Sequence, residues 1–128
     1  MNLYTINEIN LKQGKIIKNI VDKKTKEINL EIVLKLISEF TKISKDELKS
    51  KSRERKYADA RKIYFTFCWE HLRASLSEIG ASVMRDHATV LYSINLVPII
   101  LSEEYSNFIN FVYLKGYTLE RKRIIKGL

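Results

Sequence analysis

The sequence predicts an all-α protein, a helical bundle that contains a helix-turn-helix. The 128 residues include only four glycines and one proline, which is few for a fold built on tight turns between strands. Apolar residues recur at helical spacing, and no segment shows the alternation of a strand. Two S-x-x-E sequences have the spacing of capping boxes, which open helices. At this length we expect one domain.

The composition limits the class of protein. No run approaches the ~18 apolar residues that a membrane span requires, and the N-terminus lacks the cationic and apolar segments of a secretory signal. The single Cys68 fits a reducing compartment, so we expect a cytoplasmic protein. The net charge of +8 favours a polyanionic partner, nucleic acid above all, although solubility alone also explains it.

Residues 1–27 are predicted to form a lysine-rich extension. Within it, residues 9–21 place isoleucines and a valine on one helical face, and Gly14 weakens the prediction of a helix there. The next helix is predicted over residues 30–40, because its apolar residues follow helical spacing and Asn29 can serve as its N-cap.

A short helix and a basic loop follow. Ser44 and Glu47 form an S-x-x-E motif, which predicts a helix near residues 44–50. Five cations then fall within eight residues, with Glu54 as the acidic residue among them: Lys49, Lys51, Arg53, Arg55 and Lys56. Such a run is typical of a polyanion site, and a solvated charged face explains it as well.

A long helix is predicted after this loop. Its apolar stripe is so wide that we expect the helix to be central to the fold. The stripe contains Ala60, Ile63, Tyr64, Phe67, Cys68 and His71, and Phe65, Trp69 and Leu72 widen it. We interpret Cys68 and Trp69 as core residues.

Two further helices joined by a tight turn are predicted. Ser75 and Glu78 form a second capping box, and Gly80 can help to close the short helix that it opens. Asp86 stands at the start of the next helix, which Pro98 should kink or end. The apolar periodicity of that helix is carried by Val90, Leu91, Ile94 and Val97. A short helix, a turn and a helix with polar N-terminal residues form the outline of a helix-turn-helix.

The C-terminal part is predicted to contain one more helix and a tail. Phe108, Phe111 and Val112 are expected to face the core from that helix. Residues 116–128 are basic, and we expect a frayed tail. Its cations are interpreted as disordered surface rather than a DNA-binding arm: Arg121, Lys122 and Arg123.

Three blocks of the sequence carry a likeness to a known family. LKSKSRERKYADARKI, SLSEIG and RDHATVLYS occur in the order and at nearly the spacing of the C-terminal DNA-binding domain of the bacterial replication initiator DnaA. The chain resembles this family over roughly residues 29–114, so a domain of residues 28–115 is expected. The resemblance implies a fold like that of Trp repressor and DnaA domain IV and binding to double-stranded DNA at A·T-rich boxes resembling the family's. It also implies association with the nucleoid and a role in replication initiation or its regulation.

The resemblance and the basic run together imply three kinds of DNA contact. Arg53 matches an arginine that enters the minor groove beside the recognised box. Reading of base edges in the major groove is assigned to Asp86, His87, Ala88 and Leu91. Phosphate contacts are assigned to Lys49, Lys51, Arg55, Arg61, Lys62, Leu76, Arg85 and Thr89, with Leu76 contributing its backbone.

The sequence also departs from the family's pattern. The family has two glycines before the recognition-helix arginine, whereas SVM leads into Arg85 with one residue fewer, so the turn should differ. The first of the family's two threonines is Ala88 here, which keeps a methyl group that can meet a thymine methyl. No G-x-x-x-x-G-K-[ST] motif occurs, so we expect no nucleotide site. The chain can be a stand-alone protein, of a phage or mobile element for example, or one domain of a longer protein. We expect the first, because the sequence opens with Met1 and its N-terminal segment resembles no ATPase.

Catalysis and metal binding have little support as roles for the polar residues at the start of the predicted recognition helix. Asp86 and His87 are adjacent on a helix and point about 100° apart, which does not suit acid–base catalysis. A metal site of Cys68, His71 and His87 lacks further ligands. We therefore expect no enzymatic activity, no metal and no cofactor. Asp86 can also be a helix cap, alone or while accepting from a cytosine amino group, and Arg53 can be a solvated cation.

Two functions follow from the sequence. The first is sequence-specific binding of double-stranded DNA, and the alternative is a helical protein-interaction module that has lost DNA recognition. The alternative rests on the altered turn and on Ala88. No membrane partner is expected, and the sequence leaves the oligomeric state open.

Overall fold

The computed structural model describes residues 26–128. They form six helices: α1 (Leu30–Thr41), α2 (Lys45–Lys49), α3 (Arg55–His71), α4 (Leu76–Ala81), α5 (His87–Ile100) and α6 (Ser102–Leu114). No strand occurs among the described residues, and the all-α prediction is confirmed. The helix expected over residues 9–21 lies outside the described residues.

Four of these helices begin at side-chain caps that the sequence predicts. Asn29 accepts a hydrogen bond from the N–H of Ile32 at 2.9 Å and opens α1. Asp86 opens α5 in the same way. Complete capping boxes open α2, with Ser44 and Glu47, and α4, with Ser75 and Glu78. Each cap satisfies amides that the first helical turn leaves without partners, which fixes where the helix starts.

Helix α3 is the centre of the bundle, as its wide apolar stripe predicts. It packs against each of the other five helices. Tyr64, Phe65, Phe67 and Cys68 are almost completely buried. The ring of Phe67 meets that of Phe108 on α6 edge-on, with centroids 5.0 Å apart. Burial of these side chains supplies much of the stabilisation that holds α3 against its neighbours.

Helix α5 does not end at Pro98 but continues to Ile100. A proline removes one backbone donor and crowds the preceding turn. Here it lies in the last turn of the helix. The hydrogen bond at the C-cap is intact, since the N–H of Leu101 donates to the carbonyl of Val97 at 2.9 Å. Of the two expectations for Pro98, a kink or an end of the helix, the end at this residue is therefore wrong.

Leu91 does not belong to the inward face of α5. Val90, Ile94 and Val97 are buried, whereas Leu91 is 47% exposed. The buried residues are four and three positions apart, so they share one face, and Leu91 is turned about 100° from Val90. Its assignment to the apolar periodicity is wrong, and it lies on the outer side of the helix.

The prediction of a frayed tail over residues 116–128 is also wrong. The side chain of Arg121 donates from Nε to the carboxylate of Glu70, which is buried on α3, at 2.6 Å. The backbone N–H of Lys122 donates to the carbonyl oxygen of the same glutamate at 2.7 Å. The hydroxyl of Tyr105 on α6 donates to the other carboxylate oxygen of Glu70. A buried carboxylate requires such partners, and the tail provides one of them.

The rest of the tail continues along the bundle. The guanidinium of Arg123 stacks 3.5 Å from the ring centroid of Trp69. It also donates to the carbonyls of Trp69, Leu72 and Ala74, at the end of α3 and just before α4. Ile125 is buried in the core. The tail therefore contacts α3, α6 and the segment just before α4 instead of lying free in solvent.

Candidate nucleic-acid interface

The turn between α4 and α5 is built around a close approach at Gly80. A Cβ atom at this position would lie 2.5 Å from the carbonyl oxygen of Arg85 and 3.0 Å from that of Asp86. The backbone N–H of Arg85 donates to the carbonyl of Gly80 at 2.8 Å. Gly80 thus takes part in closing α4, and its missing side chain lets the two helices come together at the angle of this turn.

Met84 supplies the reversal in this turn. Its φ is +63°, in the left-handed region that non-glycine residues rarely adopt. Its side chain is 72% exposed. The chain thus makes the turn with a single left-handed methionine.

Asp86 caps α5 and keeps one carboxylate oxygen for other partners. Its Oδ1 accepts from the N–H of Thr89 at 2.9 Å and from the hydroxyl of Thr89 at 2.8 Å. These two bonds hold the pKa of the Asp86 carboxyl below its usual value, the backbone bond being the larger cause. Among the described residues, no protein donor meets its Oδ2. The carboxylate is therefore an anionic acceptor at the exposed start of α5.

The residues assigned to base reading share the outer side of the first turns of α5. They are all exposed: Asp86, His87, Ala88 and Leu91. Thr89 is exposed as well, with its hydroxyl hydrogen given to Asp86. The structure therefore brings the predicted reading residues together on one accessible helix end.

The basic loop is exposed at its cations. The side chains of Lys49, Lys51, Arg53 and Arg55 belong to exposed residues. Arg55 forms an ion pair with Asp59 one turn later on α3, with Nε and Oδ2 3.6 Å apart. Surface pairs of this kind contribute little to stability, so they leave the loop cations available to an anionic partner.

Arg61 has an internal role that the sequence does not reveal. The residue is only 6% exposed, and its guanidinium donates to four backbone carbonyls in and before the basic loop. These belong to Glu47, Leu48, Ser50 and Ser52, at distances of 2.7 to 3.2 Å. Burial, with the nearby Arg85 as a smaller cause, lowers the pKa of this guanidinium. Of its five N–H groups, one on Nη1 is left for another acceptor.

Arg85 connects the helix-turn-helix to the same loop. Its Nη2 donates to the carbonyl of Ser50 at 2.6 Å. Its Nη1 donates to the carbonyls of Val83 and Met84 at 3.1 and 3.3 Å. The carbonyl of Ser50 therefore accepts from two guanidinium groups, that of Arg61 on α3 and that of Arg85 in the turn.

Two neighbouring clefts gather most of the assigned phosphate-binding side chains. One, of about 400 Å³, is lined by Lys51, Ser52, Arg53, Ala58, Arg61, Met84 and Arg85. The other, of about 210 Å³, is lined by Ala58, Arg61, Lys62, Phe65, Arg85, Thr89, Tyr92 and Ser93. Three residues are common to both, so the clefts form one cationic face between the basic loop and α5. Lys49, Arg55 and Leu76 do not line either cleft.

Leu76 is the first residue of α4 and is partly buried against the core. Its side chain therefore packs inward, and only its backbone suits the contact assigned to it. Sequence reasoning missed Met84 as a cleft residue and the carbonyl contacts of Arg61 and Arg85. No pattern of residue types signals these contacts, because their acceptors are backbone oxygens that every residue carries.

Residues 26–128 contain no cluster of three or more histidine, cysteine, aspartate or glutamate side chains that could hold a metal ion. In the same range, no helix has both the length and the apolar character to cross a membrane.

The fold and this face define the class of the protein. It is a helix-turn-helix protein, with α4 and α5 as the two helices and a cationic face beside them. Comparison of the sequence with protein families matches the model described as "Bacterial dnaA protein helix-turn-helix" over residues 30–97, more than half of the chain. The chain therefore belongs to the bacterial DnaA helix-turn-helix family.

Relatives with the name "Chromosomal replication initiator protein DnaA" match the same region. The protein of Geotalea uraniireducens (strain Rf4) is 35% identical over 95 residues, covering 73% of this chain and 21% of the relative. The Flavobacterium psychrophilum protein is 27% identical over 112 residues, 84% of this chain and 23% of the relative. The chain thus spans about a fifth of the length of these relatives. No solved structure shows significant similarity to it.

Proposed function

We propose that this protein binds double-stranded DNA in a sequence-dependent manner, with α5 as the recognition helix, and acts in replication initiation or its regulation. The observation that carries the proposal is the family membership over α1–α5, in a chain whose α4–α5 pair lies beside a cationic face. We further propose that the protein is not an enzyme, needs no nucleotide or other cofactor, and acts at the nucleoid in the cytoplasm.

The start of α5 is suited to reading base edges in the major groove. Oδ2 of Asp86 can accept from a cytosine amino group while Oδ1 keeps its capping bonds. The methyl group of Ala88 and the side chain of Leu91 can contact thymine methyl groups. His87 offers ring nitrogens to base edges from the first turn.

The basic loop supplies the second contact in this proposal. Arg53 would enter the minor groove, where a narrow A·T-rich groove has the most negative potential. The DNA backbone that separates the minor groove from the neighbouring major groove would then run along the clefts between the loop and α5. Phosphates along it are assigned to Lys49, Lys51, Arg55, Lys62 and the backbone of Leu76, and to the remaining N–H groups of Arg61 and Arg85.

Thr89 is the least direct of the proposed phosphate contacts. Its hydroxyl hydrogen is donated to Asp86, and a phosphate is also an acceptor. Thr89 can therefore donate to a phosphate only if the hydroxyl turns away from the cap. The backbone bond from Thr89 to Asp86 keeps the cap in place during that change.

The test is selection from a pool of random duplexes at moderate salt. We expect the protein to enrich a defined motif. Asp86→Asn should keep the cap, since asparagine caps helices as well as aspartate does. Its amide nitrogen would replace an acceptor with a donor, so the preferred base at one position should change from cytosine to one that presents an acceptor. Glu103→Gln, at an exposed position on α6, is the matched control and should leave the motif unchanged.

Each outcome of this selection has a definite meaning. An identical motif for Asp86→Asn would remove Asp86 from the reading residues. Binding without enrichment would reduce the function to general DNA binding. Absence of binding to every duplex would favour the protein-interaction module, the class to which the altered turn and Ala88 point.

A further inference from the structure

We infer that Arg85 is a positioning residue, which fixes the basic loop against the helix-turn-helix and thereby sets where Arg53 stands relative to α5. This inference rests on the proposed function and goes beyond the phosphate contact assigned to Arg85. The juxtaposition that carries it is the Nη2 to Ser50 carbonyl bond of 2.6 Å, which joins residues 35 positions apart.

The backbone of Arg85 is itself held firmly. Its N–H donates to the carbonyl of Gly80, and its own carbonyl oxygen lies only 2.5 Å from where a Cβ of residue 80 would be. Its Nη1 donates to the carbonyls of Val83 and Met84 within the turn. The guanidinium is therefore a rigid extension of the turn, with Nη2 aimed at the loop.

The guanidinium of Arg85 binds the basic loop at Ser50, the first residue after α2. Ser50 is the C-cap of α2, and its Oγ accepts from the N–H of Ser52. Arg53 is three residues beyond Ser50, so the chain can carry it at most about 10 Å from the anchored residue. An anchor at Ser50 therefore restricts the position of Arg53.

Two arginines divide the task of holding this loop. Arg61 joins α3 to two carbonyls of the loop and two of α2, and Arg85 joins the loop to the turn that precedes α5. A protein that reads two neighbouring grooves needs a fixed spacing between its two reading elements. The bond from Arg85 to Ser50 is a direct connection between them.

The first measurement uses the free protein and does not require DNA. We expect Arg85→Lys and Arg85→Met to increase amide hydrogen exchange at Ser50 and Ser52 roughly tenfold, because a bond from a charged donor is lost and the loop opens locally. Arg85→Lys keeps the charge but not the fork that reaches both the turn and the loop. Lys35→Met, an exposed position on α1, controls for the lost charge. Unchanged exchange in Arg85→Lys would overturn the inference.

The second measurement uses duplexes that carry the selected motif with either A·T or G·C flanks. We expect Arg85→Lys to reduce the preference for A·T flanks several-fold, and to have no further effect on that preference in an Arg53→Ala background. If the wild-type protein prefers A·T flanks and Arg85→Lys keeps the whole of that preference, the positioning role is overturned. A wild-type protein that binds no duplex would overturn the proposed function, and the exchange result would still decide whether the contact orders the loop.

Discussion

Arg53 is an exposed cation, and the backbone on both sides of it is held by hydrogen bonds. The carbonyl of the preceding Ser52 accepts from Nη1 of Arg61 at 3.0 Å. The following N–H, of Glu54, donates to the hydroxyl of Ser52 at 3.2 Å. A mobile side chain on an ordered loop loses less entropy on binding than one on a mobile loop, which suits insertion into a groove.

We expect Arg53→Ala to weaken DNA binding by roughly 1–3 kcal/mol, and more on A·T-rich flanks than on G·C-rich flanks. Equilibrium titration of both duplexes at one salt concentration measures the difference. Lys56→Ala, a neighbouring exposed cation, is the matched control and should cause a small loss that is equal on both. Equal losses for Arg53→Ala would make Arg53 a phosphate contact.

Met84 holds a conformation that costs free energy. A left-handed backbone is unfavourable for a residue with a Cβ, and an exposed side chain recovers little by burial. The same residue forms part of the lining of the larger cleft. The strain therefore lies directly at the candidate interface, where strained residues are often found.

We expect Met84→Gly to raise the free energy of unfolding by roughly 0.5–1 kcal/mol, since glycine adopts this backbone without strain. Met84→Ala keeps the Cβ and should bring no such gain. Chemical denaturation of the three proteins tests this. A stabilisation by alanine equal to that by glycine would place the cost in the methionine side chain instead of the backbone.

At the scale of elements, the C-terminal segment completes the bundle. Glu70 is buried on α3. Its carboxylate accepts hydrogen bonds from Tyr105 on α6 and from Arg121 in the tail. Arg123 meanwhile donates to the carbonyl of Ala74, the residue before the cap of α4. The tail therefore helps to set the position of α4 relative to α3, and with it the start of the helix-turn-helix.

We expect Arg121→Met to lower the free energy of unfolding by roughly 1–3 kcal/mol, because a buried carboxylate loses a charged donor. Lys126→Met removes the same charge from an exposed position in the tail and should change stability far less. Thermal or chemical denaturation of both variants measures the difference. Equal, small effects would show that Glu70 does not depend on the tail.

At the scale of the whole molecule, the chain carries a net charge of +8, and several cations of its described part gather on one face. Cations from the loop, from α3 and from the turn all border the two clefts. Two of them, Arg61 and Arg85, are close enough for their charges to repel. A polyanion placed along this face would relieve that repulsion and release its own counterions.

We expect the logarithm of the binding constant to fall linearly with the logarithm of salt concentration, for every duplex. Lys49→Ala should reduce the slope by about one on selected and random duplexes alike, as the loss of one phosphate contact does. Lys35→Ala, on α1, should leave the slope unchanged. A slope that changes only on the selected motif would contradict the assignment of Lys49 to phosphate.

Much of this protein is determined by local sequence. Helix starts at Asn29, Ser44, Ser75 and Asp86 follow from caps that act within a few residues, and the central place of α3 follows from its apolar circumference. The blocks that carry the family resemblance are local as well, and the family comparison confirms them. These features can be predicted from the sequence because each depends on residues that are close together in the chain.

Tertiary structure decided the features whose partners lie far apart in the sequence. The basic tail packs because a buried glutamate on α3 and an aromatic ring meet its arginines. Arg61 and Arg85 turn to the carbonyls of the basic loop, and Met84 adopts a left-handed turn because Gly80 lets the chain pass so closely. Backbone oxygens have no signature in residue types, and a methionine does not carry the glycine signal that usually marks a positive φ. The sequence by itself therefore determined the helix starts and the family. The packed structure decided which residues line the face, which of its arginines are held by the protein and which are open to a partner.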